Sequence, residues 1–149
     1  MLPKKIINKQ LGNVLIERKV ITPQQLDIAL AEQKEKGGLL GEILVNLGFA
    51  GEEDIAQALT AQYGFPYMRL SNYEVNREVI GIVPERLAQQ YLLVPIDKIG
   101  NNLTLAMSNP LNTQAIEDVE LVCNCSVHAF VSTSSDIKKA IVKYYDNKQ

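Results

Sequence analysis

Through the first 65 residues apolar positions recur at helical spacing in short stripes separated by turn residues. Leu11, Val14, Leu15 and Arg18 share one helical face. Thr22-Pro23-Gln24-Gln25 then supplies an N-cap, a proline at the first helical position and a glutamine at the capping-box position. The stripe behind that cap is Leu26, Ala29, Leu30 and Gln33, and Gly37-Gly38 ends it. Leu40, Ile43, Leu44 and Leu47 form a further stripe, stopped by Gly48. Gly51 caps the next helix, whose first turn, Glu52-Glu53-Asp54, complements the helix dipole. Its apolar face is Ile55, Ala58, Leu59 and Gln62, and Gly64 with Pro66 closes it.

Beyond Pro66 the pattern changes to shorter, strand-like runs. Tyr67–Leu70 reads as a short extended segment, Asn76 as the cap of a helical turn, and Pro84 as the opening of a helix over Glu85–Tyr91. Leu92–Asp97 and Leu103–Met107 are apolar runs joined by a hairpin loop over 98–102. Asn109-Pro110-Leu111-Asn112 reads as a loop ending in a cap, with a helix from there to about Val122. Val127, Ala129 and Val131 alternate as a half-buried strand. Ser134 or Ser135 then caps a last helix with Ile137, Ala140, Ile141 and Tyr144 on one face. The fold class expected is α+β. A helical subdomain over residues 1–65, made of four helices from two helix pairs, precedes a small α/β subdomain over 66–149 with about three strands.

The first half is an internal repeat. An offset of 29 residues lays Gln10–Gln33 over Leu39–Gln62, with identities at Leu11/Leu40, Gly12/Gly41, Leu15/Leu44, Ala29/Ala58, Leu30/Leu59 and Gln33/Gln62. Val14/Ile43, Ile16/Val45 and Leu26/Ile55 keep apolar character. Gln33 and Gln62 stand where the helical period asks for an apolar residue. A glycine at a helix start lets another molecule approach the backbone and turns amide donors outward, which suits an anion. The other reading is that Gly12 and Gly41 permit close helix crossing, and the residues alone leave both open.

Composition narrows the function classes. With 149 residues, 46% of them hydrophobic, the chain can bury a core, and a net charge of −2 argues against a DNA or RNA surface, which needs clustered Lys and Arg. Lys138, Lys139 and Lys143 alternate with apolar residues as the wet face of a helix. No apolar run approaches the ~18 residues of a membrane span, so direct membrane insertion is not expected. Lys4, Lys5 and Lys9 precede no apolar stretch of signal-peptide length. Two cysteines are too few for a disulfide scaffold and suit a reducing compartment, so the expected location is cytoplasmic.

Catalytic chemistry is missing from the pattern. No G-x-x-x-x-G-K-[ST] loop occurs, so no ATPase phosphate cradle is expected within the chain. Cys123-x-Cys125-x-x-His128 offers only three ligands, separated by a helix end and a strand, and reads as a half-buried cysteine pair with an imidazole on the open face of a strand. One histidine supports no dyad. The chain is expected not to be an enzyme and to hold no metal or cofactor.

Leu-Gly-x-x-Leu-(Ile/Val) followed by Leu/Ile-x-x-x-Leu-x-x-Gln, twice with the spacer Lys34–Gly38, resembles the MshEN domain. That domain stands at the N-terminus of type II secretion and type IV pilus assembly ATPases and binds cyclic di-GMP in part of the family. The resemblance covers about Gln10 to Tyr145. It implies a ligand surface of Leu11, Gly12, Leu15, Leu26, Leu30 and Gln33 from copy one, with Leu40, Gly41, Leu44, Ile55, Leu59 and Gln62 from copy two. Leucines would cover purine faces, backbone amides would meet phosphates, and glutamine amides would read guanine edges.

Binding members begin each motif with a basic residue, usually arginine, and here those slots hold Gln10 and Leu39. Lys19 stands where the family prefers glycine, which copy two keeps as Gly48. Each lost charge-assisted contact removes roughly 1.5–3 kcal/mol, and Lys9 is a point charge without the planar guanidinium fork. Two functions follow from the resemblance. One is a regulatory module binding cyclic di-GMP beside its ATPase; the other is a docking module for a secretion or pilus ATPase, or an inner-membrane platform protein, with nucleotide binding lost.

Overall fold

In the computed structural model, residues 4–145 are described, with side chains from Gln10 onward. Lys9 and its neighbours toward the N-terminus thus lie outside the described side chains. The helical half comprises α1 (Lys4–Glu17), α2 (Pro23–Lys36), α3 (Leu40–Asn46) and α4 (Glu52–Tyr63). A 3-10 turn (Leu70–Asn72) leads to α5 (Arg77–Ile80), α6 (Glu85–Tyr91), β1 (Leu93–Ile99), β2 (Asn102–Met107), α7 (Thr113–Cys123), β3 (Ser126–Val131) and α8 (Ser134–Tyr145). The class is α+β, as the periodicity predicts.

Local chemistry accounts for most element ends. Thr22 Oγ1 accepts from the Gln25 amide at 3.1 Å while Gln25 Oε1 accepts from the Thr22 amide at 2.9 Å, a complete capping box. Asn112 Oδ1 accepts from the Ala115 amide at 3.2 Å and opens α7. Three expectations are corrected. Arg18 lies past the end of α1 and is exposed, so the buried stripe stops at Leu15. The chain runs extended through Arg69, with Pro66–Met68 pairing with Val131, and Leu70 turns away into the 3-10 turn. The hydroxyl capping α8 is that of Thr133, which accepts from the Asp136 amide at 3.3 Å. Ser135 is drawn instead to the Glu52 carboxylate, a charged acceptor that competes well for a hydroxyl.

The two helix pairs end their first helices in the same way. The amides of Lys19 and Val20 donate to the carbonyls of Ile16 and Leu15, and those of Gly48 and Phe49 donate to Val45 and Leu44. This doubled bond wraps the helix end and forces the intervening residue left-handed. Gly48 has φ 78 and Lys19 has φ 62, so copy one carries a side chain where the geometry favours glycine. Lys19→Gly is therefore expected to raise stability by about 0.5–1 kcal/mol. A higher urea midpoint checks it; an unchanged or lower one refutes the strain at this turn.

The sheet has the order β1-β2-β3. β1 and β2 form the expected hairpin with a tighter turn, over 100–101 rather than 98–102, paired antiparallel from Leu93↔Met107 to Ile99↔Asn102, and β3 runs parallel to β2. A parallel neighbour needs a crossover, which α7 provides. Pro95 is tolerated because β1 is an edge strand whose register shifts between Pro95 and Asp97. α5, α6 and α8 pack on β1. Tyr91 donates to Asp118 Oδ2 at 2.6 Å, joining α6 to α7; burial chiefly, with that hydrogen bond, pushes its phenol up to about 12.

Two apolar clusters result. One fills the sheet half around Leu93, Leu103, Leu105, Met107 and Ile137; the other fills the helical half around Leu11, Leu15, Leu44 and Leu59. They interlock. Leu111 and Val131 from the sheet half join the helical cluster, and Leu39 packs against the sheet cluster. Carboxylates clasp the first turns of α8 from the helical side. Glu52 Oε2 accepts from the Ser135 hydroxyl at 2.7 Å, and Glu42 pairs with Lys138 Nζ at 2.7 Å.

Candidate functional site

The repeat becomes a paired arrangement in three dimensions. α1 packs on α4, and α2 on α3. In each copy the motif glycine faces the apolar residue fourteen positions on, Gly12 against Leu26 and Gly41 against Ile55. Leu11 of copy one also reaches Gly41 of copy two, so the two Leu-Gly pairs meet.

The glycines differ in what they do. A Cβ on Gly12 would stand 2.7 and 2.9 Å from the Leu26 methyls, closer than packed carbons approach. On Gly41 the nearest atoms, Ile55 Cδ1 and Leu11 Cδ2, are both 3.9 Å away, an ordinary contact. Gly12 also lies in the interior of α1, where amides are engaged in the helix ladder, which corrects its assignment to a helix start. Gly41 is the second residue of α3, and no side chain caps that helix. Close crossing explains Gly12. It does not explain Gly41. Gly12→Ala must push aside the ends of the half-buried Leu26, a cost set against the ~1 kcal/mol that alanine gains in a helix interior. It is therefore expected to change stability by no more than about 1 kcal/mol either way, whereas Gly41→Ala should raise it by up to about 1 kcal/mol. Thermal or urea unfolding of the pair checks this, and equal losses in both would refute the distinction.

The apolar candidates gather in one cluster. Leu11, Leu15, Leu40, Leu44, Ile55 and Leu59 are buried, and Leu26 and Leu30 are half-buried at its margin. Most of these side chains thus act as core. The glutamines diverge. Gln33 is buried and its Nε2 donates to the Gly38 carbonyl at 2.9 Å, bracing the spacer between the copies. Gln62 is exposed on α4. The second copy is therefore the open one, with an uncrowded glycine and an exposed amide.

The departures from the binding pattern have structural identities. Gln10 is half-buried, with its Oε1 enclosed and no hydrogen-bond partner among the described residues. Leu39, the N-cap of α3, is half-buried toward the sheet cluster rather than toward the repeats. Lys19 is exposed on its left-handed turn. The clasp through Glu42 and Glu52 was not legible in sequence, since its partners lie 83 residues or more away and resemble ordinary surface charge.

Other candidate chemistry resolves plainly. Cys123 and Cys125 are joined in a disulfide in place of the free cysteine pair expected, and a single bridge over one residue does not decide the compartment. A ring closed over one intervening residue removes less chain entropy than a long-range bridge would. His128 is exposed on β3 beside Asn102 Oδ1 at 3.0 Å. Among the described residues, no three His, Cys, Asp or Glu side chains gather to hold a metal, and no helix is long and apolar enough to cross a membrane.

Comparison with known proteins places this arrangement. The MshEN domain family model matches residues 63–149, the half that follows the repeats. Relatives extend across both halves. The type IV pilus assembly ATPase PilB of Myxococcus xanthus is 32% identical over 139 residues, covering 93% of this chain and 25% of that protein. PilB of Thermus thermophilus is 31% identical, covering 93% of this chain and 16% of that protein. The chain thus spans a quarter or less of the length of these relatives. A solved structure of MshE with cdg superposes with a TM-score of 0.68 at 28% identity, covering 91% of this chain and 98% of that one. The N-terminal domain of XpsE shares the fold, with a TM-score of 0.74 at 21% identity over 93% of this chain and 95% of that one.

Proposed function

The chain belongs to the MshEN family, and from that premise we propose that it is a non-catalytic regulatory module of a type II secretion or type IV pilus assembly ATPase, whose two helical repeats bind cyclic di-GMP in the cytoplasm. One observation carries the ligand reading: Gly41, in the repeated Leu-Gly motif, has no packing reason to be glycine. Bare backbone at that point, met by Leu11 from the other copy and carried on the same helical body as the exposed Gln62, suits a flat ligand with two purines and two phosphates. The MshE structure with cdg, alike over 91% of this chain, supports the same ligand class. Titration calorimetry tests it. Saturable cyclic di-GMP binding is expected, with at least a tenfold loss in Gly41→Asp, whose carboxylate would oppose a phosphate. No heat of binding at about 50 μM ligand would remove the ligand from this reading.

A second reading, a docking module for its ATPase or an inner-membrane platform protein with nucleotide binding lost, is favoured by Leu39. That side chain is committed to packing on the sheet half in the slot where binding members carry a basic residue. It expects a folded protein indifferent to cyclic di-GMP that still retains the platform protein in a pulldown.

A further inference from the structure

A cleft of about 240 Å3 lies between α4 and the extended segment behind it, lined by Glu53, Gln57, Thr60, Ala61, Tyr67 and Arg69. At 100° per residue, Glu53, Gln57, Thr60 and Ala61 occupy the face of α4 opposite Ile55, Leu59 and Gln62. The cleft is therefore separate from the repeat surface. Its second wall is held by backbone pairing, since the Met68 amide donates to the Val131 carbonyl and the Val131 amide to the Pro66 carbonyl, both at 2.8 Å. Strand alternation then sends Met68 into the core and leaves Tyr67 and Arg69, on either side of it, facing the cleft.

The polar groups of this cleft are unused. Glu53, Gln57 and Arg69 make no hydrogen bond or ion pair with another described residue, and the Thr60 hydroxyl is enclosed without a partner. The Thr60 hydroxyl is closed off from solvent, so the polar groups that a ligand could reach are Glu53, Gln57 and Arg69. We propose that the cleft takes a guanine base. Guanine has an acceptor pair, O6 and N7, that suits the guanidinium fork of Arg69. Its other edge offers N–H donors to the Glu53 carboxylate, and its ring has a face for Tyr67. Adenine presents an amino group beside N7 and leaves a carboxylate without its donor pair. The cleft is smaller than the roughly 300–1,000 Å3 of a whole-ligand pocket, so the sugar and phosphate stay in solvent.

NMR titration of the full chain with 5′-GMP and 5′-AMP tests this. Saturable shifts at Thr60 and Tyr67 are expected, with GMP binding at least about tenfold tighter than AMP. Arg69→Ala and Glu53→Gln, both at exposed positions and checked for an unchanged Tm, should each weaken GMP at least tenfold. Gly41→Asp should leave it unchanged, so loss of cyclic di-GMP binding and loss of this site are told apart. Equal affinity for the two nucleotides, an undiminished GMP affinity in Arg69→Ala, shifts confined to other residues, or no saturation by about 10 mM would each overturn the proposal.

Discussion

Leu44→Ala is expected to lower the unfolding free energy by about 3–5 kcal/mol, read as a lower urea midpoint at an unchanged slope. Leu44 is fully enclosed in the helical cluster, beside Leu11, Leu15 and Leu59. Removing its three outer carbons forfeits their transfer energy, and four short helices cannot close the space without disturbing the turns at Lys19 and Gly48. Leu30→Ala, at the half-buried margin of the same cluster, should lose less than half as much. A loss under about 1 kcal/mol at Leu44 would refute its part in holding the helical cluster together. The expected large loss assigns it to packing, whatever ligand the repeats hold.

Gln10→Arg is expected to raise cyclic di-GMP affinity by about one to two orders of magnitude. The substitution removes an amide oxygen enclosed without a partner among the described residues and supplies a guanidinium fork next to the Leu11-Gly12 motif. Leu39→Arg is the less clean experiment, because Leu39 also packs against the sheet cluster and its loss would disturb the junction of the two halves. Calorimetry of Gln10→Arg beside the native chain is the comparison to make. An affinity unchanged within threefold would show that no phosphate approaches the start of copy one.

Both results bear on which half of the repeat works. The identities at an offset of 29 suggest two equal half-sites. Packing makes them unequal: Gln33 is committed to the Gly38 carbonyl and Gly12 to Leu26, while Gln62 and Gly41 stay open. Glu42, next to Gly41, pairs with Lys138 Nζ on α8 and so ties the open copy to the last described helix.

Much of the fold was readable from local rules because local chemistry decides it. The capping box at Thr22, the glycine stop at Gly48, the proline opening α6 and the period of each stripe act within a few residues. Acting between near neighbours in the chain, they set where each helix begins and ends. The misreadings fall where a distant group intervenes. Ser135 lost the cap of α8 to Thr133 because Glu52 lies beside it in space, and Leu70 left its extended run because β3 offers pairing only as far as Met68.

The repeat itself, its family and the absence of an NTPase loop are properties of the sequence alone, since they depend only on residue types at fixed spacing. Tertiary structure decided which motif residues are core and which are open. Burial depends on what packs across each helix face, and spacing specifies the face but not its neighbour. That is why Gly12 and Gly41, identical in motif, part company: a leucine branched at Cγ crowds one, and an isoleucine methyl stands 3.9 Å from the other.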